Sequence, residues 1–351
     1  MQAYITSITK PRQDAVWLFI DSQTVGGIES HVANLAIALH QRGHKVSVVF
    51  WRDYTQTHPM LQQLNQQKVP WLILDGSVGS LLHAVNDLLP SVIHSHGYKA
   101  GLISRMLRLL KPIKLVSSFH AGEVSKGRLA WYDCIDRYSA GLSHVRIAIS
   151  EDIANRLAAS SEIINNFVEV PTQVPAIDSQ DKPTIGFVGR LTHVKGPDRF
   201  YQLAKALPQF NFVVFGEGEL KPSKSYALLE NLQCRGKQNC MDACWQEIDL
   251  LCMPSRNEGL PLAALEAMGR GIPVIASDVG ALPKLISDHK NGFLLSGFDL
   301  QQWTSSIVEW SENAALRQRV AIQASKTVEQ HYSAQAVLPH FENIYQCLSE
   351  A

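Results

Sequence analysis

The sequence predicts two α/β domains, each built on a parallel sheet. Two observations carry this. Short apolar runs alternate with helical spacings along both halves of the chain, and both halves open with the same strand–loop–helix unit. A third supports it: 351 residues with 46% apolar and 18% charged side chains suit two folded domains with real cores better than one.

The opening unit of the first half is the run Val16–Ile20, then the polar loop Ser22-Gln23-Thr24-Val25-Gly26-Gly27. A helix follows with Val32, Leu35, Ala36 and Leu39 on one face, closed by Gly43. In the second half the strand is Thr184–Val188 and the loop runs from Gly189 to Gly196. Pro197 opens a helix with Phe200, Leu203, Ala204 and Leu207 at the same spacing. Further strands are expected at Val46–Phe50, Trp71–Leu74, Ser91–His94, Lys114–Ser117 and Arg146–Ile149. In the second half they are expected at Asn211–Phe215, Leu232–Cys234, Leu250–Met253, Pro273–Ala276 and Gly292–Leu295. Glu169–Pro183, with prolines at 171, 175 and 183, reads as a linker. The domains are therefore expected at 1–170 and 171–333, with a final helix near 334–351 able to pack back on the first. Parallel sheets bind ligands at the carboxyl ends of their strands, so two such edges joined by one linker predict a cleft.

Charge excludes some functions. Lys and Arg total 32, as do Asp and Glu, so no global field draws nucleic acid. No apolar run reaches transmembrane length, the N-terminus lacks a signal-peptide core, and six irregularly spaced cysteines read as reduced thiols, so a cytoplasmic protein is expected. Cys234, Cys240, Cys244 and Cys252 match no standard zinc spacing. His94 and His96 share a strand face without an evident third metal ligand. Lys99, Arg105, Arg108, Lys111 and Lys114 place five cations in 16 residues with no acid between them and leucines interleaved. A half-buried domain helix with a basic face is one reading of that segment, and contact with an anionic membrane surface is the other.

The loops carry the chemistry. Arg190 and Lys195 flank a loop entering a helix, a place suited to an anion. After the strand ending at Met253 come Glu258, Gly259, Leu260 and Pro261, with Glu266 about 7.5 Å along the following helix. Two carboxylates bracketing a helix start would repel a bare phosphate. They suit the hydroxyls flanking a diphosphate, which is the layout of a nucleotide sugar.

Gly189-Arg190…Lys195-Gly196, Phe215-Gly216-Glu217-Gly218, and Glu258 and Glu266 with seven residues between them, followed by Gly271-Ile272-Pro273-Val274, closely resemble the retaining GT-B glycosyltransferases of family 4 (group 1). Gly26-Gly27-x-Glu29, Ile93-His94-Ser95-His96 and Ser118-Phe119-His120-Ala121-Gly122 resemble the first-domain loops of that family. The resemblance implies two Rossmann-like domains facing across a cleft, the first binding acceptor and the second the nucleotide-sugar donor. It implies that Arg190 and Lys195 bind the donor diphosphate, Glu258 a hydroxyl of the transferred sugar, Glu266 the ribose, and His120 the sugar near the reacting carbon. Gly26 and Gly27 would let a loop close over phosphate and acceptor. Gly216, Gly236, Lys237, Gly259 and Leu260 would lie where loops approach base and diphosphate. The implied partners are a UDP- or GDP-type sugar and a glycan or lipid-linked acceptor, with no nucleic acid, no resident cofactor and no metal. Transfer with retention in bacterial surface-polysaccharide or lipopolysaccharide-core synthesis is the implied activity. A nucleotide-sugar 2-epimerase and a non-catalytic nucleotide-sugar binder are the alternatives, while a nicotinamide dehydrogenase is disfavoured because the first loop lacks Gly-x-Gly-x-x-Gly. Three departures touch loop geometry and base contacts: Lys284, Phe167 after Asn166, and a short stretch from Glu217 to Asp249.

Overall fold

The computed structural model describes residues 4–7, 9–23, 26–54, 58–120, 128–171, 182–238 and 240–350. Thr24, Val25, Ala121, Gly122 and residues 172–181 of the expected linker lie outside them. Two compact units form: one is Met1–Phe167 with Ala334–Ala351, the other Val168–Ser333.

In the first unit the strands are β1 (Tyr4–Thr6), β2 (Val16–Ile20), β3 (Val46–Phe50), β4 (Trp71–Leu74), β5 (Val92–His96), β6 (Leu115–Phe119), β7 (Val145–Ala148) and β8 (Glu162–Ile163). Their helices are α1 (Gly27–Gln41), α2 (Pro59–Gln66), α3 (Val78–Leu88), α4 (Tyr98–Leu110), α5 (Arg128–Tyr138) and α6 (Glu151–Ala154). The second unit holds β9 (Thr184–Val188), β10 (Asn211–Phe215), β11 (Leu232–Gly236), β12 (Leu250–Met253), β13 (Val274–Ser277) and β14 (Phe293–Leu295). With them come α7 (Pro197–Ala206), α8 (Lys224–Ala227), α9 (Leu262–Gly269), α10 (Leu282–Leu285), α11 (Leu300–Glu312) and α12 (Ala314–His331); α13 (Ala334–Glu350) returns to the first unit.

The sheet orders are β1-β4-β3-β2-β5-β6-β7-β8 and β11-β10-β9-β12-β13-β14. Leaving out β1 and β8, each reads 3-2-1-4-5-6 in its own strand count, the doubly wound order. All pairings are parallel except β1 with β4. Continuous apolar runs such as Val-Trp-Leu-Phe-Ile in β2 become central strands because both faces are covered. The short β1 and β8 were not expected; three and two residues carry no readable period.

Each sheet has a core on both faces. In the first unit α1, α2 and α13 cover one face, and α3 and α4 the other. In the second, α9 and α12 cover one face, and α7 and α11 the other. Val337, Leu338, Phe341, Ile344 and Tyr345 seat α13 on the first sheet, joined by the Tyr345 hydroxyl at 2.6 Å from His94 Nδ1. No helix among the described residues is long and apolar enough to cross a membrane.

The placement of Phe341, fully buried, generates a test. Phe341→Ala should destabilise the first unit by about 3–5 kcal/mol, measured by denaturant unfolding.

Candidate functional site

In doubly wound sheets the loops after the first and fourth strands of the order diverge at one point and leave a crevice. In the second unit those are the loops after β9 and β12, and they hold Arg190, Lys195 and Glu258.

Glu258 is buried, with its side chain 1% exposed. Its Oε2 accepts from Lys195 Nζ at 2.6 Å and its Oε1 from Ser255 Oγ at 2.7 Å. Both carboxylate oxygens are thus held, with lone pairs left for a further donor. Arg256 ties the two loops together. Its guanidinium makes a fork to Asp198 at 2.8 and 2.7 Å and donates to the His193 carbonyl at 2.7 Å, while its backbone N–H donates to the Val194 carbonyl at 2.7 Å. The hydrogen bonds from Arg256, with its charge, hold the Asp198 carboxyl below its ordinary range. Gly280 closes the site from β13. Its φ is +60°, and a Cβ there would sit 1.8 Å from the Glu258 carbonyl oxygen. Only glycine lets the chain approach Glu258 this closely.

Arg190 is exposed at the head of the loop that carries Lys195. Gly216 and Gly236 end β10 and β11 beside it. The Gly216 N–H donates to the Gly236 carbonyl at 2.9 Å, and a Cβ on Gly216 would fall 1.9 Å from the Gly189 carbonyl oxygen. The loops after β9, β10 and β11 are therefore brought together by backbone contact. Lys237 is exposed at the end of β11. Gly259 accepts from the Ala281 N–H at 3.3 Å and Leu260 is buried in the core under α9. Glu266 sits half-buried on α9, where burial pushes its carboxyl up and Arg270 opposes the rise. Arg270 donates to the Glu266 carbonyl at 3.1 Å and to Asp242 at 2.6 Å.

The equivalent crevice of the first unit is lined by imidazoles. His31 on α1, His94 and His96 on β5 are buried, and His120 follows β6 half-buried. His96 Nδ1 lies 3.2 Å from His120 Nε2, and the His31 and His120 ring centres are 4.9 Å apart. His94 spends its nitrogens on Tyr345 and on Ser118 Oγ, at 2.6 and 2.7 Å. The metal pair weighed from sequence, His94 with His96, is thus not the pair the fold offers. Instead His31, His96 and His120 hold ligand atoms within 4.8 Å of one another, with His31 supplied from a distant helix. Burial lowers His31 to about 4, and burial with neighbouring imidazoles holds His94, His96 and His120 well below the usual range. The four rings are neutral at pH 7. Gly26 caps α1 without a side-chain bond, and a Cβ on Gly27 would meet nothing within 4 Å among the described residues.

Sequence reasoning missed Ser255, Arg256, Asp198 and His31. Arg256 and Asp198 adjoin the chosen loops, so a search for charge pairs between neighbouring loops could have found them. The cysteine reading is supported for Cys252, which is buried in β12 with its thiol pushed up by burial.

Comparison with known proteins adds a second line. The sequence profile of the glycosyl transferases group 1 matches residues 172–327, and that of glycosyltransferase family 4 matches residues 25–170. The chain belongs to the group 1, family 4-like glycosyltransferases. The O-antigen biosynthesis glycosyltransferase WbnH of Escherichia coli is 31% identical over 58% of this chain and 63% of its own length. That match thus spans less than two thirds of the relative. The D-inositol 3-phosphate glycosyltransferase of Mycobacterium sp. (strain JLS) is 23% identical over 86% of this chain and 82% of its own. Among solved structures, Anabaena Alr3699/HepE in complex with UDP superposes with a TM-score of 0.81 at 16% identity, over 95% of this chain and all of that one. The lipopolysaccharide outer core galactosyltransferase WaaB in its apo form gives 0.66 at 17% identity, over 94% and 98%. These likenesses place the fold in the GT-B class.

Two outcomes follow from this geometry. Lys195→Met strands the buried Glu258 carboxylate and should cost about 1–3 kcal/mol in thermal or denaturant unfolding, part of which Glu258→Gln in the same chain should restore. The histidines make stability pH-dependent. Each has a folded pKa below its unfolded value near 6.5, so the unfolded chain binds more protons, and stability present above pH 6.5 is lost as pH falls toward 4. His31 alone accounts for about 3 kcal/mol across that window, and His31→Phe should flatten the pH dependence of the unfolding midpoint.

Proposed function

We propose that the protein transfers a sugar from a nucleoside-diphosphate donor to a hydroxyl of a glycan or glycolipid acceptor, with retention at the anomeric carbon. The observation that carries the reading is the Lys195–Glu258 pair, 2.6 Å apart at the crevice of the second unit. It presents an ammonium for a diphosphate oxygen and a carboxylate for a sugar hydroxyl at one point. Arg190 on the same loop adds the second cation, and at Gly189 and Gly236 a Cβ would meet nothing nearer than 3.8 Å, which leaves room for phosphate beside the backbone. Glu266, whose affinity for protons is raised by burial, is assigned the ribose hydroxyls. His120 of the first unit is assigned the transferred sugar near its reacting carbon, and Gly26 and Gly27 the loop over phosphate and acceptor. Both assignments rest on the family resemblance.

In this reading the bond from the anomeric carbon to the diphosphate oxygen breaks while a bond to the acceptor oxygen forms on the same face. The acceptor proton passes to the departing phosphate oxygen. Arg190 and Lys195 balance the charge that gathers on the leaving group, the role a divalent ion plays elsewhere. The chemistry then needs no metal. That HepE was crystallised with UDP and with UDP-glucose supports a nucleoside-diphosphate donor here, and the O-antigen and lipopolysaccharide-core relatives support a bacterial surface glycan as acceptor.

Arg190→Ala and Lys195→Ala should each lower kcat/KM for transfer about 100-fold or more, equivalent to roughly 2.7–4 kcal/mol of transition-state stabilisation. Retention of more than about a tenth of the activity would remove the diphosphate role. Turnover should be unchanged by EDTA. A donor that stabilises the protein thermally yet is passed to no acceptor would favour the binding-protein alternative, and conversion of free donor would favour the epimerase.

A further inference from the structure

Three imidazoles from separate segments converge in the crevice of the first unit. His31 lies on α1, His96 ends β5 and His120 follows β6. Strand pairing accounts for two of them. His96 stands opposite Ile20 of β2 and Ser118 of β6, so the residues leaving β5 and β6 share one sheet edge. α1 leaves the loop after β2 and packs back on the sheet. That brings the His31 ring centre to 5.6 Å from His96 and 4.9 Å from His120.

The spacing suits a metal ion. One ligand nitrogen from each ring lies within 4.8 Å of the other two. His96 Nδ1 and His120 Nε2 are 3.2 Å apart. Two nitrogens bound tetrahedrally to zinc, each about 2.0–2.1 Å from the ion, stand about 3.3–3.4 Å from one another. One edge of such a tetrahedron is therefore already built. His31 has to close by at most about 1.5 Å, a small turn of its ring.

The cluster also holds polar atoms that the protein leaves unanswered. Neither nitrogen of His31 makes a hydrogen bond of good geometry, nor does Nε2 of His96, although both residues are 1% exposed. Buried polar atoms in this condition are uncommon and call for a reason. Asn166, the polar side chain beside His31, raises the proton affinity of that ring against the effect of burial. An outer partner does the same for a metal-bound imidazole. Phe167 and Phe341 pack against His31 at 6.0 and 6.1 Å and fix where its ring can sit. His120 is the half-buried member of the three and gives an ion its way in.

Donor chemistry selects the ion. No carboxylate joins the three rings among the described residues, so the set is nitrogen only. Magnesium and calcium take oxygen ligands, whereas neutral imidazole suits zinc, copper and nickel. His94 is not a member, because Tyr345 and Ser118 engage its two nitrogens at 2.6 and 2.7 Å. Three protein nitrogens are the complement of a zinc site that keeps its fourth position for water or another oxygen.

We propose that His31, His96 and His120 bind one zinc ion, and that the ion inhibits sugar transfer by taking His120 away from the substrate. Binding is independent of the function proposed above. The inhibitory half rests on that reading, through the assignment of His120 to the transferred sugar.

The test uses the full chain without a histidine tag, stripped of metal, with cobalt(II) as a visible stand-in for zinc. The protein should take up one cobalt ion per chain and show the d–d absorption of a tetrahedral site. Zinc should displace the cobalt, and magnesium should not. His31→Phe and His120→Ala should each weaken cobalt binding about 100-fold or more, since loss of an outer partner alone costs about 10–100-fold. His120 is half-buried, so its replacement tests the site even if His31→Phe does not fold. Added zinc should slow release of the nucleoside diphosphate in a transfer assay, and EDTA should restore the metal-free rate. The proposal is overturned if the parent takes up no cobalt, or if His120→Ala binds it like the parent. A thiolate-to-cobalt charge-transfer band that disappears in Cys240→Ser with Cys244→Ser would also overturn it, placing the ion on those cysteines. Zinc bound at the three histidines without slowing transfer would uphold the site and overturn the inhibitory half.

Discussion

The second unit depends on one buried ion pair. Glu258 is nearly inaccessible to water, and a carboxylate in that position is tolerable only if its oxygens are engaged. Lys195 and Ser255 engage them. Much of the local architecture serves that contact. The Arg256–Asp198 fork locks the two crevice loops in register, and Gly280 admits the chain against the Glu258 backbone. A half-exposed lysine held against a buried acid is also poised for exchange. Under the proposed function, an arriving anion would share the ammonium while the carboxylate turns a lone pair to a hydroxyl.

The two units solve the same topological problem with opposite chemistry. Both sheets carry the doubly wound order, and both leave a crevice where the strand order reverses. In the second unit it is lined with fixed charges and crowded glycines. In the first it is lined with four imidazoles that burial keeps neutral. Neutral rings accept and donate hydrogen bonds without repelling one another, which permits such a cluster in an apolar setting. α13 completes this arrangement, since its Tyr345 bonds His94 and its Phe341 packs against the ring. α13 thereby helps to enclose an imidazole cluster supplied by α1, β5 and the loop after β6.

Family membership and physical geometry reach different depths. Neighbours at 16–17% identity share the backbone arrangement, and the profiles for the two halves agree with it. In the segment from Lys99 to Lys114 the fold shows what the sequence left open, since Lys99 is paired with Asp21 and Arg105 with Asp136.

The strands were legible because central parallel strands must be apolar on both faces. Runs such as Thr184–Val188 and Leu250–Met253 announce themselves, and their spacing from helical patterns determines the fold class. The loop cations and carboxylates were legible because Arg190, Lys195, Glu258 and Glu266 lie at strand ends within short segments. What tertiary structure alone decided are the contacts between segments far apart in sequence. His31 joins His96 and His120 across some 90 residues, Arg256 reaches back to Asp198, and Arg105 turns inward to Asp136 rather than outward to water. Local periodicity reports which face of an element is buried; only packing decides which charged side chain finds its partner there.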